Sequence, residues 1–109
     1  MNKIEELKKF LEKSPQDPFL HYALTMEYVK LKDYVTAKSS FERLINDFPD
    51  YVGTYYHFGK LLELLKNQDQ ALLIYEKGMA IARAKRNFHA LNELQGAYNL
   101  ALGETDDDE

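Results

Sequence analysis

The chain has 109 residues, of which 45% are hydrophobic, and it carries a formal net charge of −4 at pH 7. A chain of this length is expected to form one domain with a buried core, and its lack of cysteine excludes disulfides and thiolate chemistry and fits a reducing, cytoplasmic location. Five of its 18 acidic residues lie in residues 104–109, which leaves a body of 14 basic and 13 acidic residues, so neither part has the basic surface that nucleic-acid binding requires.

The first predicted element is an amphipathic helix over residues 2–13. Ile4, Leu7, Phe10 and Leu11 recur at the spacing that places side chains on one face of a helix. Acidic residues interrupt the segment where a secretory signal peptide needs a continuous apolar run, so no targeting segment is predicted.

Four further helices are predicted in the central part of the chain. Pro15 and Pro18 end the first helix and open the second, because proline breaks a helix interior but is favoured at the first helical position. Val35 and Phe41 are predicted on the buried side of the third helix, and Gly59 is predicted to allow a close backbone approach in the fourth. The apolar spacing predicts these four helices over residues 18–31, 34–47, 51–65 and 69–85.

The last predicted element is a helix over residues 87–102 with one apolar and one polar side, which is typical of a helix that caps the open end of a stack. Gly103 is predicted to end it, and residues 104–109 are predicted to be a disordered acidic tail. The tail is predicted to act as a solvating end, and contact with a basic partner or with Lys60 is the alternative. No predicted helix has the 18 consecutive apolar residues of a membrane span, so no membrane partner is predicted.

The central part of the chain repeats itself with a period of 34 residues, so that residues 18–51 (the first copy) align with residues 52–85 (the second copy). The first predicted helix falls where the second helix of a preceding, incomplete repeat would lie. A helix–turn–helix unit of this length cannot bury its apolar face alone, so the copies are predicted to stack. Large or small residues match in the pairs Leu24 and Phe58, Tyr28 and Leu62, Ala37 and Ala71, and Phe41 and Tyr75, and Leu44 aligns with Gly78.

Both copies resemble the tetratricopeptide repeat, whose pattern has Trp, Leu, Gly and Tyr in the first helix, Ala, Phe and Ala in the second, and Pro at the close. The resemblance implies an all-α fold, a short right-handed superhelical array of about six antiparallel helices (an α-solenoid) in a single domain over residues 1–103. The residues at the eight pattern positions are His21, Leu24, Thr25, Tyr28, Ala37, Phe41, Leu44 and Pro49 in the first copy, and Tyr55, Phe58, Gly59, Leu62, Ala71, Tyr75, Gly78 and Arg83 in the second.

The resemblance also implies a function, namely a protein–protein interaction module that binds a peptide or a partner helix in a concave groove. Exposed apolar strips of the kind expected there often mark protein-binding sites. Family members that grip a carboxylate do so with Lys, Asn and Arg, whereas the matching positions here are Tyr22, Met26, His57, Asn87 and Leu91, so no carboxylate clamp is predicted. The groove residues that the resemblance implies are Phe19, Tyr22, Met26, Tyr56, His57, Lys60 and Leu91.

No enzyme, metal site or cofactor is predicted. The serines lie outside any Gly-x-Ser-x-Gly turn, the glycines form no phosphate loop, and His21, His57 and His89 include no pair with the i, i+4 spacing of a helical metal site. A structural alternative remains open, in which the incomplete N-terminal repeat completes itself against a second copy of the chain. That homodimer would place Ile4, Leu7 and Leu11 at a two-fold contact.

Overall fold

The structure, a computed structural model, describes residues 2–105, and within this range it contains six α-helices and no strand. The predicted all-α class is therefore confirmed, and most predicted helix ends agree with the observed ends to within two residues. The helices are α1 (Lys3–Lys13), α2 (Pro18–Lys30), α3 (Tyr34–Asp47), α4 (Gly53–Leu64), α5 (Gln68–Ala84) and α6 (Phe88–Thr105).

The predicted end of the last helix at Gly103 is wrong, because α6 continues to Thr105. Gly103 does not adopt the left-handed conformation with which a glycine ends a helix. The first two residues of the predicted acidic tail are therefore helical. The rest of that tail, residues 106–109, lies outside the described residues.

The chain divides into two compact units between Tyr51 and Val52, which is the predicted boundary between the two copies of the repeat. Unit 1 contains α1, α2 and α3, and unit 2 contains α4, α5 and α6. In unit 1, α2 packs against both α1 and α3; in unit 2, α5 packs against both α4 and α6, and α4 also contacts α6. The single domain expected over residues 1–103 stays a prediction.

Short polar side chains begin most of the helices. The side-chain oxygens of Asn2, Asp17, Asp33 and Asn87 accept hydrogen bonds from backbone N–H groups in the first turns of α1, α2, α3 and α6, at 2.9, 3.0, 3.3 and 3.1 Å. Each of these bonds satisfies a donor that the start of a helix leaves unpaired. At α4 the N-cap residue is Val52, which has no side chain that could do this.

The three turns that follow α2, α4 and α5 share one geometry. Lys32, Lys66 and Arg86 have positive φ angles of 61°, 65° and 59°, a left-handed conformation that favours glycine. The residue after each of them donates its N–H to a carbonyl five positions earlier, which is the Schellman closure of a helix. These bonds join Asp33 to Tyr28 at 3.0 Å, Asn67 to Leu62 at 2.8 Å and Asn87 to Ala82 at 2.9 Å.

The core of each unit is built around the matched positions of the repeat. Two glycines of unit 2 permit close contact between α4 and α5, as predicted for Gly59. A Cβ added to Gly59 would overlap the ring of Tyr75, and one added to Gly78 would lie 2.5 Å from the Cβ of Tyr55. The buried residues are Leu7, Thr25, Ala37, Phe41 and Leu44 in unit 1, and Thr54, Tyr55, Phe58, Gly59, Leu61, Leu62, Ala71, Tyr75, Gly78, Met79, Ala82, Leu94, Ala97 and Ala101 in unit 2.

Two residues predicted on buried helix faces are exposed. Val35 is 85% exposed, because it precedes the buried Ala37 by two residues, or about 200° around a helix, and so faces the opposite side. Phe10 is 59% exposed, since α1 packs against α2 and lacks a second neighbouring helix within unit 1.

Within residues 2–105, none of the helices combines the length and the apolar character that crossing a membrane requires.

Candidate functional site

In unit 1 the predicted binding residues are on α2. Asp17 and Pro18 start this helix, and the spacing from there places Phe19, Tyr22 and Met26 along one side of it. Phe19 is 56% exposed, and Tyr22 and Met26 are half-buried. Unit 1 therefore presents an aromatic and apolar surface at these positions.

Tyr51 adds to this surface, although the sequence analysis assigned it no binding role. Its ring lies 5.7 Å from the ring of Tyr22, at an interplanar angle of 52°. Burial and the neighbouring Tyr51 raise the pKa of Tyr22, and burial and the charge of Asp17 raise the pKa of Tyr51. Both hydroxyls therefore stay neutral near pH 7, and the pair is an uncharged aromatic contact.

In unit 2 the predicted residues Tyr56, His57 and Lys60 are on α4 and form one group. The rings of Tyr56 and His57 meet edge to face, with centroids 5.2 Å apart. The Nζ of Lys60 lies 5.7 Å from the centroid of Tyr56, within cation–π range. Burial lowers the pKa of His57, and the negative charge of Glu93 opposes that shift only in part, so His57 is mainly neutral at pH 7.

Glu63 and Tyr75 extend this group into the core of unit 2. A carboxylate oxygen of Glu63 accepts a hydrogen bond from the Tyr75 hydroxyl at 2.5 Å and lies 3.9 Å from the Nζ of Lys60. Tyr75 is fully buried and belongs to α5, and no binding role was predicted for it. Tyr75 carries a hydroxyl that its match in the first copy, Phe41, lacks. That difference was the sequence signal from which a polar contact of Tyr75 could have been predicted.

A cavity of about 220 Å³ opens beside Tyr56 between α4 and α6. Leu91, the residue of α6 predicted to bind, is half-buried and is not part of the cavity wall. Ala90 and Leu94 are the apolar residues of α6 that line the cavity. The cavity is lined by Val52, Gly53, Tyr56, Asn87, His89, Ala90, Glu93 and Leu94.

The positions that the resemblance matches to a carboxylate clamp are occupied here by groups that are uncharged or already hydrogen-bonded. Tyr22 pairs with Tyr51, and His57 is mainly neutral. The Asn87 side-chain oxygen accepts from the N–H of Ala90 and so caps α6. No cationic side chain stands at any of these positions.

His21 and His89 have different partners. A ring nitrogen of His21 lies 2.7 Å from the carbonyl oxygen of Pro15, and the ring packs on Phe48. His89 pairs with Glu93 at 3.7 Å. Within residues 2–105 no group of three or more His, Asp or Glu side chains could hold a metal ion.

On α1, the residues predicted for a homodimer contact are partly used within unit 1. Leu7 is buried, and Ile4 and Leu11 are half-buried. An ion pair between Lys3 and Glu27, 3.7 Å apart, also joins α1 to α2. Phe10 is the large apolar side chain that remains exposed on this helix.

No protein-family model matches the sequence, and a search of curated proteins gives no match. Solved structures do match. The chain is 45% identical to a tetratricopeptide repeat domain protein from Salinibacter ruber; against its NMR structure the TM-score is 0.79, with 82% of this chain and 90% of that chain covered. Against a crystal structure of a tetratricopeptide repeat domain protein from the same organism, also 45% identical, the TM-score is 0.77 and the coverage is 80% and 98%.

A more distant structure shares the fold alone. The TPR2B domain of yeast Sti1, solved as a complex with pHsp70, is 16% identical to this chain, with a TM-score of 0.83 and coverage of 93% of this chain and 81% of that one.

Proposed function

This chain belongs to the tetratricopeptide repeat family, whose domains act as protein-interaction modules, and we propose that it binds a peptide or a partner helix through residues of α2, α4 and α6. The binding residues of this proposal are Phe19, Tyr22, Met26, Tyr56, His57, Lys60 and Leu91. We assign it no catalytic role, and a cytoplasmic location is part of the same proposal.

The observation that carries the proposal is the exposed aromatic surface on α2. Phe19, Tyr22 and Met26 lie along one side of this helix, and a contiguous apolar surface of this kind often marks a protein-binding site. The Tyr22–Tyr51 pair is uncharged and packed, so little conformational freedom is lost when a ligand binds. The TPR2B domain of Sti1, which shares the fold, was solved as a complex with pHsp70.

The ligand of this proposal is not held by a carboxylate clamp. The clamp positions of this chain offer phenol, thioether, imidazole, amide and aliphatic groups, and the amide of Asn87 already caps α6. We therefore propose that unit 1 offers a ligand apolar and aromatic contacts, and that unit 2 offers the Tyr56, His57 and Lys60 group.

A random peptide library displayed on phage and selected on the immobilised protein tests this function. Peptides that bind the wild type should lose about tenfold or more in affinity for Tyr22→Ala and for Tyr56→Ala, because aromatic anchors dominate most interfaces. Tyr34→Ala and Tyr98→Ala are matched controls, since both remove half-buried tyrosines outside the proposed surface. The far-UV circular dichroism of all four variants should match the wild type. A library that yields no binding peptide, or peptides that bind all four variants alike, would contradict the proposal.

Self-association through α1 is a second candidate, and the 59% exposure of Phe10 favours it. Because Leu7 is buried within unit 1, a Leu7→Asp change would disturb the fold itself and could not report on a dimer. Phe10→Ser is the better variant. If the second candidate is right, sedimentation velocity at rising concentration should show a dimer for the wild type and a monomer for Phe10→Ser. A wild type that stays monomeric throughout removes this candidate.

A further inference from the structure

Four side chains of unit 2 form a continuous line from its core to its proposed binding surface. The buried Tyr75 hydroxyl donates to Glu63 at 2.5 Å, and Glu63 lies 3.9 Å from the Nζ of Lys60. That ammonium in turn lies 5.7 Å from the ring centroid of Tyr56. The chain of contacts therefore joins a core residue of α5 to three residues of α4.

The path exists because Gly59 has no side chain. The Tyr75 ring occupies the space that a Cβ at Gly59 would fill, so the ring crosses the α4 backbone and its hydroxyl emerges at Glu63. The Glu63 side chain is only 15% exposed, and a hydrogen bond between a phenol and a carboxylate is short and strong in such a setting. Glu63 is therefore held in place by a residue that cannot itself move without disturbing the core.

We propose that Tyr75 is a positioning residue for the binding surface: through Glu63 it holds Lys60 over the ring of Tyr56. This proposal rests on the proposed function of that surface. A surface lysine normally samples many rotamers, and ordering it when a ligand arrives costs free energy. A lysine already held against an aromatic ring avoids that cost, so the surface is ordered before the ligand binds.

The first copy of the repeat supplies an internal reference. The residues equivalent to Lys60, Glu63 and Tyr75 are Met26, Val29 and Phe41, which have no ammonium, carboxylate or hydroxyl. Phe41 is fully buried at the position that corresponds to Tyr75. A phenylalanine is therefore compatible with this place in the repeat, and Tyr75→Phe removes the hydroxyl with little change in packing.

Solution NMR of the full chain provides the first test. In the wild type, the ring current of Tyr56 should shift the side-chain methylene protons of Lys60 upfield, and Tyr56→Leu gives the unshifted reference. Tyr75→Phe should remove at least half of that shift. Tyr98→Phe is the matched control, since it removes a hydroxyl that lies 3.4 Å from another carboxylate, Glu76, and should leave Lys60 unchanged. An unaltered Lys60 shift in Tyr75→Phe would overturn the proposal.

The second test measures affinity for peptides that phage display selects on the wild type. Tyr75→Phe should weaken their binding by about threefold to tenfold, the loss expected when one long side chain must be ordered on binding. Glu63→Gln should act in the same direction, because a neutral amide holds the ammonium less well. Peptides that bind Tyr75→Phe as tightly as the wild type overturn the positioning role and leave the proposed function intact. Selection of no peptide at all overturns both.

Discussion

The two copies of the repeat fill the same helical hairpin with opposite distributions of side-chain volume. At one pair of matched positions the first copy has His21 and Leu44, whereas the second has the large Tyr55 and Gly78. In the second copy Tyr55 is fully buried against Gly78. In the first copy a cavity of about 50 Å³ remains near His21 and Leu44. The two copies therefore fill the same contact with different pairs of side chains, and the large ring of Tyr55 is accommodated only because Gly78 has no side chain.

The same comparison separates the two surfaces. Along the first helix of each copy, Tyr22, Met26 and Val29 of unit 1 correspond to Tyr56, Lys60 and Glu63 of unit 2. The aromatic residue is retained, while its two apolar neighbours are replaced by an ion pair that a buried hydroxyl supports. The proposed binding residues are therefore apolar and aromatic in one copy, whereas in the other they include an ion pair.

The largest expected effect comes from placing the residues of the first copy at the matched positions of the second copy. Gly78→Leu alone should lower the free energy of unfolding by about 3 kcal/mol or more, because the added side chain meets Tyr55. Adding Tyr55→His restores the pair found in the first copy and should recover at least half of the loss. Urea unfolding of both single variants and the double variant measures the coupling. If the stability losses of the two single variants add in the double variant, the two side chains do not compensate for each other in volume.

Each copy buries one threonine, and the two should respond differently to valine. The Thr54 hydroxyl is buried with no hydrogen-bond partner among the described residues, whereas the Thr25 hydroxyl donates to the carbonyl of His21 at 2.8 Å. Thr54→Val should therefore raise the free energy of unfolding by about 1 kcal/mol relative to Thr25→Val. Urea unfolding of both variants gives the difference. Equal effects of the two substitutions would argue against an unsatisfied hydroxyl at Thr54.

A smaller gain is expected at the turns that both copies share. Lys32 and Lys66 occupy left-handed backbone, where a non-glycine residue is strained. Replacing either by glycine should raise the free energy of unfolding by about 0.5 kcal/mol, because relief of this strain exceeds the extra entropy of glycine in the unfolded chain. Thermal unfolding should give similar increases for Lys32→Gly and Lys66→Gly. A loss in either would indicate that the lysine side chain stabilises its turn.

The smallest expected effect is a pH dependence confined to unit 2. The pKa of His57 is lowered in the folded state, so the unfolded chain binds a proton more readily there. The stabilising contribution of neutral His57 is complete above the unfolded pKa of about 6.5 and decreases as the pH falls from there to the folded pKa. Between pH 8 and pH 5, the wild type should lose more stability in urea unfolding than His57→Gln does. Parallel pH profiles of the wild type and His57→Gln would contradict a lowered pKa of His57 in the folded state.

Much of the fold was predictable because its signals are local. Prolines, capping residues and apolar spacing act within a few positions, and they determined the start of α2 at Pro18 and both ends of α3. The residues predicted for a groove lie on α2, α4 and α6, the helices expected from the apolar spacing, and their binding role stays a prediction. The roles of Tyr51 and Tyr75 were not predictable, because their contacts with Tyr22 and Glu63 join residues that are far apart along the chain.

The sequence alone determined the helices, the 34-residue register and the family, because helix periodicity and repeat length are properties of neighbouring positions along the chain. Only the tertiary structure decided which faces remain uncovered, as at Phe10 and Val35, and which side chains meet across helices, as Tyr75 meets Glu63. The physical reason is that burial and hydrogen bonding depend on the distance between elements in space, and one periodic pattern is compatible with several such distances.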